Sequence, residues 1–198
     1  AKPAFRTRDW LRSSIPFGLS ATLLLINGRT DVIALGLFRA DSEVGVYRVA
    51  VQIAATVIFS LGAVNAIQGP HIAHLYATGD MKRLQKMITR SSQAILAVAV
   101  PSVLVIVLLG PYLIRAIFGE QYEGAYIPLV ILTVGQLVNA ATGSVTSLLN
   151  MTGHERETTR VMIMAAALNL ALNFSLTPLF GMKGAAIATA STLVFWNL

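Results

Sequence analysis

The sequence predicts an all-α, polytopic membrane protein built as a bundle of six transmembrane helices. Three observations carry this reading. Of 198 residues, 55% are hydrophobic and only 12% charged, whereas a soluble domain is about 25% charged. The mean hydropathy is +0.68. Long apolar runs recur along the chain, each near the roughly 20 residues a helix needs to cross a bilayer.

Six such segments can be drawn, at residues 14–37, 45–68, 94–118, 125–150, 161–180 and 182–198. The first is too long for a signal peptide and lacks a small-residue cleavage site. It carries Asn27, Arg29 and Asp31. Charges at such depth face a protein interior or a water-filled cavity. Asp31 lies one helical turn beyond Asn27, so the two share a face. Arg29 points about 200° away from Asp31 and cannot simply pair with it. The Asn27/Asp31 face is expected to look into a cavity. Arg29 is expected to find a partner on another helix, to bind anionic cargo or to snorkel outward.

The second segment opens with Tyr47 and Arg48 and continues through Gln52, Thr56 and Ser60, four residues apart, with Asn65 and Gln68 near its end. The third is almost wholly aliphatic over residues 94–109 and is expected to face lipid. In the fourth, Gln136, Asn139, Gly143, Ser147 and Asn150 fall within a sector of about 80° if the helix is continuous. The fifth repeats the device with Asn169, Asn173 and Thr177. The sixth has Gly184, Ala188 and Thr192, a small-residue face for close helix packing. It ends with the chain, which also lacks an initial Met. The expectation is a fragment of a longer protein, one six-helix lobe over residues 1–198 with its last helix cut short.

Between segments two and three, Asp80 can cap a helix. Met81, Leu84, Met87 and Ile88 then oppose Lys82, Arg83, Lys86 and Arg90. This reads as a short amphipathic helix over about residues 80–92, lying in the interface on anionic lipid.

Net charge is +6. Lys2, Arg6, Arg8 and Arg12, then Lys82, Arg83, Lys86 and Arg90, then Arg156 and Arg160 all fall on one side of six alternating crossings. Arg39, Arg48, Arg115 and Lys183 fall on the other, offset by Asp41, Glu43, Glu120 and Glu123. By the positive-inside rule the N-terminal end of this segment is cytoplasmic. The basic excess therefore reflects topology rather than a nucleic-acid partner.

Single amides in such stripes often serve as glue between helices, at about 0.6 kcal/mol each. Four striped segments, two of them charged, point instead to a shared hydrated cavity. Its candidate residues are Arg29, Arg48, Gln52, Gln136, Asn139, Asn150, Asn169 and Asn173, with Asp31 as the ion-coupling candidate. His71 and His74 share a helix face, but a metal site needs more ligands. Asn150-Met151-Thr152 is a glycosylation sequon placed on the cytoplasmic side. There is no cysteine, and no catalytic constellation, phosphate loop or dinucleotide fingerprint. The sequence does not indicate an enzyme.

Four stretches carry a family resemblance. NGRTDVIALGLFRADSEVGVYRVAVQIA (residues 27–54) resembles a helix–loop–helix of bacterial polysaccharide flippases, including the Val-Gly-Xaa-Tyr that opens the second helix, here Val44 to Tyr47. IFGEQYEGAYIPLVIL (117–132), LLNMTGHERETTRV (148–161) and FGMKGAAIATASTLVFWN (180–197) resemble later loops and the last helical hairpin. The chain resembles the C-terminal half of a flippase of the multidrug/oligosaccharidyl-lipid/polysaccharide exporter superfamily. That resemblance implies the second lobe of a twelve- to fourteen-helix fold in the bacterial inner membrane. It implies transport of undecaprenyl-pyrophosphate-linked oligosaccharide for surface polysaccharides such as O-antigen. The implied partners are membrane lipid, the lipid-linked oligosaccharide and an N-terminal six-helix lobe. No cofactor is implied beyond a coupling proton or sodium ion.

Other readings remain. A cation-coupled drug antiporter of the same superfamily would want acidic cavity residues, and only Asp31 lies in a membrane segment. A membrane-embedded glycan polymerase would want a large external loop with acid/base residues. A scaffold without transport activity would leave Arg29 and Asp31 without a role.

Overall fold

The computed structural model describes residues 18–19, 21–23 and 25–197. It is an all-α, polytopic membrane fold. The stretches Ala21–Phe38, Asp41–Ala77, Met81–Phe118, Glu120–Thr142 and Glu155–Phe180 are long and apolar enough to cross a bilayer. The 16-residue helix Met182–Asn197 packs among them. Residues 14–17 of the first expected segment lie outside the described residues.

The first crossing is interrupted. Helix is lost at Gly28 and Arg29 and resumes as α1 (Thr30–Phe38). The Ile26 carbonyl accepts from Arg29 N–H at 2.9 Å and from Thr30 Oγ1 at 2.8 Å. Gly28 is a poor helix former, and the Thr30 hydroxyl shares the acceptor at the break.

The second crossing is α2 (Asp41–Ala55), a 3₁₀ turn at Thr56–Ile58 and α3 (Phe59–Ala77). A single helix, α4 (Met81–Phe118), follows for 38 residues. The basic stretch at 80–92 is thus the first turns of a crossing helix, not a separate helix lying in the interface. Asp80 does cap it, accepting from Arg83 N–H at 3.1 Å. Nothing in Ser91, Ser92 and Gln93 stops the backbone ladder, since no Gly or Pro intervenes.

After a 3₁₀ turn at Glu120–Ala125, α5 (Tyr126–Thr142) ends at Gly143. The short α6 (Val145–Met151) follows. The expected continuous helix over residues 125–150 is therefore broken. Gly143 has φ +72°, and a methyl there would collide with the Ser92 hydroxyl of α4. Only glycine combines that backbone with that approach. Then come α7 (Glu155–Phe180) and α8 (Met182–Asn197). Gly184 of α8 sits so near the Leu176 carbonyl that a Cβ would overlap it, which is the close packing its small-residue face predicts.

The core joins Tyr47, Ala50, Ala54 and Val57 to Ile95, Ala99, Val103, Ile106 and Ile114 of α4 and to Leu129 and Leu132 of α5. The third segment is thus two-faced. Val103 and Ile106 are buried, whereas Leu104, Val105 and Leu108 are exposed, Leu108 at 71%. An aliphatic run carries no polar marker to tell core from lipid side.

The loops gather at two ends. At one, Arg39 Nη2 donates to the Pro178 carbonyl at 3.0 Å, and Arg115 Nε donates to Glu123 Oε1 at 2.7 Å. At the other, Gln68 donates to Ser91, and Met151 lies against Gly69.

Candidate functional site

The Asp31 carboxylate is 2% exposed and ties three helices together. Its Oδ2 accepts from the Tyr47 hydroxyl of α2 at 2.8 Å and from the Thr189 hydroxyl of α8 at 3.1 Å. Its Oδ1 accepts from Val32 N–H at 2.8 Å. A buried carboxylate is tolerated where donors replace its lost water.

Beside this knot runs a polar cleft of three adjoining cavities. The first, about 260 Å³, lies among Asn27, Gln136, Asn139, Asn169, Thr189, Thr192 and Trp196. The second, about 350 Å³, continues past Asn139 to Asn65, Ser147, Asn150 and Asn197. The third, about 370 Å³, lies among Val145, Leu149, Met162, Met164 and Phe195. Trp196 lines all three.

A hydrogen-bonded chain stiffens the wall. Asn139 Nδ2 donates to Gln136 Oε1 at 3.3 Å, Asn197 Nδ2 to Asn139 Oδ1 at 3.1 Å and Thr142 Oγ1 to Asn197 Oδ1 at 2.8 Å. Other polar atoms on the cleft are buried without a partner among the described residues: both amide atoms of Asn27, Asn65 Oδ1, Asn150 Oδ1 and Ser144 Oγ. Buried polar groups are rarely left unpaired, so the cleft is chemically open to water or to a polar ligand.

The structure separates residues that the sequence suggests as one set. Gln136, Asn139, Asn150 and Asn169 line the first two cavities. Asn173, 0% exposed, lines none of the three cavities and bonds back within α7. Its Nδ2 donates to the Asn169 carbonyl at 3.0 Å, and Asn169 Nδ2 donates to Thr192 Oγ1 at 3.2 Å. Arg48 and Gln52 are exposed, on the side of α2 opposite buried Tyr47, Ala50 and Ala54. They line none of the three cavities. Arg29 is exposed and, among the described residues, its guanidinium has no hydrogen bond or ion pair. His71 and His74 are both exposed.

Sequence reasoning missed Trp196, Asn65, Asn197 and Thr189 as lining, and Tyr47 as the partner of Asp31. The Tyr47 pairing was within reach. Residues 31 and 47 are nearly equidistant from the turn at residues 39–40, so an antiparallel hairpin puts them at one height. The others are single polar or aromatic residues whose facing helices only the fold supplies.

Residues 4–127 match the family described as polysaccharide biosynthesis protein. The chain is 30% identical to a probable flippase, AglR, of Haloferax volcanii over 85% of the chain and 36% of that protein. It is 28% identical to a probable low-salt glycan biosynthesis flippase of the same organism, over 81% of the chain and 34% of that protein. It is 26% identical to an uncharacterized membrane protein of Methanocaldococcus jannaschii, over 92% and 37%. The chain therefore spans little more than a third of the length of these curated relatives. No solved structure gives a significant match. A family match over more than half the sequence, on a membrane bundle holding a polar cleft, has one consequence: the chain belongs to the polysaccharide biosynthesis protein family.

Proposed function

We propose that this chain is one lobe of a flippase that carries lipid-linked glycans across a membrane. The observation that supports this most is the amide-lined cleft inside a membrane-crossing bundle. Amides donate and accept without charge, so they suit many hydroxyls at modest strength and let a polar chain pass. Two of the similar proteins are named as flippases, one of them for glycan biosynthesis.

The guanidiniums of Arg29 and Arg48, without an ion-pair partner among the described residues, suit an anionic carrier such as a pyrophosphate, which arginine engages with two parallel hydrogen bonds. Arg48, Gln52 and Thr56 form an exposed polar face on a crossing helix. Such a face is poorly matched to acyl chains, and it suits a water-filled space shared with an N-terminal lobe. Asp31 serves as the site coupled to a proton or a sodium ion, since it joins α1, α2 and α8 and any change in its bonding loosens all three. In its finer form the reading is an undecaprenyl-pyrophosphate oligosaccharide moved outward in a bacterial inner membrane, for surface polysaccharides such as O-antigen. The relatives named above are archaeal and bear on glycan flipping in general.

The test is transport by the full-length protein in proteoliposomes, using a polyprenyl pyrophosphate whose glycan carries a fluorescent label. Protein-dependent loss of the label from the leaflet reached by an impermeant quencher is expected. Equal quenching with and without protein, or equal transport of an unrelated cationic dye, would overturn the reading.

A further inference from the structure

Asn27 is 3% exposed, and neither its Nδ2 nor its Oδ1 has a partner among the described residues. Burying an amide unpaired in an apolar medium costs several kcal/mol, so this side chain is built to meet something. What it faces is the 260 Å³ cavity, with room for roughly eight waters at about 30 Å³ each.

The lining defines the chemistry of the occupant. Asn27 and Gln136 supply amides with capacity to spare, and Asn139 and Asn169 are bonded to their neighbours. The Thr189 and Thr192 hydroxyls already donate to Asp31 and to the Ala188 carbonyl, so they offer an occupant only acceptor oxygens. No charged side chain lines it, so an ion there would lack a countercharge, which burial penalises heavily. The indole of Trp196, with Leu193 and Ile58, completes the lining. Amides together with an indole and aliphatic carbon match a neutral polyol ring, whose edge carries hydroxyls and whose face presents C–H groups.

We infer that the Asn27–Trp196 cavity is a subsite for one neutral sugar unit, with Trp196 as the platform under the ring and Asn27 bonding a ring hydroxyl. This rests on the lipid-linked glycan reading above and deepens it. Because Trp196 also borders the two neighbouring cavities, the platform stands where all three meet. A glycan unit stacked on it has its next unit facing the Asn65/Asn150 cavity.

The experiment measures binding to the full-length protein in nanodiscs, with two probes. One is a polyprenyl pyrophosphate bearing a single neutral hexose, the other the same lipid without sugar. Asn27→Leu keeps the volume and removes both unpaired groups. It should weaken the glycosylated probe about tenfold, the worth of one or two hydrogen bonds. The bare carrier should bind as before, and the melting temperature should hold or rise. Trp196→Leu should act the same way, and Trp196→Phe should keep most of the affinity. If wild type binds both probes and the Asn27 and Trp196 variants match it, the cavity holds water only and this inference fails while the flippase reading stands. Equal losses for both probes, or losses that track a lowered melting temperature, would make the pair structural and also overturn it. If wild type binds neither probe, the flippase reading itself falls and takes the subsite with it.

Discussion

Removing the Tyr47 hydroxyl tests whether the Asp31 knot holds the bundle together. The Tyr47 ring is fully buried, so Tyr47→Phe leaves core packing in place and deletes one donor 2.8 Å from the carboxylate. Thr189 and Val32 N–H remain. Hydrogen bonds to a charged group contribute about 1.5–3 kcal/mol, whereas polar contacts inside membranes average about 0.6. Full burial and the loss of one of three donors argue for the upper scale, so the expected destabilisation is about 2 kcal/mol. In an Asp31→Asn background the same change removes only a neutral hydrogen bond, at about 0.5–1 kcal/mol. The two substitutions should therefore couple by about 1 kcal/mol or more. Equilibrium unfolding in mixed micelles, run as a double-mutant cycle, reads this directly. Additivity within about 0.3 kcal/mol would refute the idea that hydroxyl and carboxylate act as one unit.

Other outcomes follow from the same geometry. Gly184→Ala drives a methyl into the Leu176 carbonyl and should lower stability by about 3 kcal/mol or abolish folded yield in thermal unfolding. Gly143→Ala combines a φ of +72° with a clash on Ser92. Adding Ser92→Gly should recover the steric part of the lost melting temperature and leave about 1–3 kcal/mol of backbone strain. Arg115→Gln should leave the melting temperature essentially unchanged, because the Arg115 side chain is 58% exposed beside Glu123. The cysteine-free sequence suits topology mapping with an impermeant thiol reagent in intact cells. Lys86→Cys and His154→Cys should stay unlabelled while Asp41→Cys and Glu120→Cys react, and the reverse pattern would invert the orientation.

The helical bundle was legible because a bilayer leaves so few options: each apolar run must satisfy its backbone internally and so becomes a helix. Helix ends were less legible. Hydropathy reports where lipid begins, but the backbone ladder stops only where something breaks it, so α4 reaches back to Met81 through polar residues. Gly143 looked like one more small residue on a polar stripe, since an isolated glycine is often tolerated in a helix. Its role depends on Ser92, far away in sequence. Asn139 and Asn173 look alike in sequence, and only their neighbours make one a cavity wall and the other a buried side chain bonded back to its own helix. The unpaired state of Asn27 is a statement about what surrounds it, which no periodicity encodes.

The length of α4 has an electrostatic consequence. Its 38 residues rise about 57 Å, and about 54 Å along the membrane normal at a typical 20° tilt. A bilayer with headgroups is about 40–45 Å thick, so one end stands about 10 Å clear of it. The aliphatic stretch lies toward Phe118, which leaves the Met81 end as the part outside. Lys82 and Arg83 are thus carried into the aqueous layer beyond the phosphates, nearly one Debye length away at 0.1 M salt. At that distance their pull on an anionic leaflet is a screened field rather than a set of contacts. Ionic strength, more than the fit of any one headgroup, then governs how firmly that end is held.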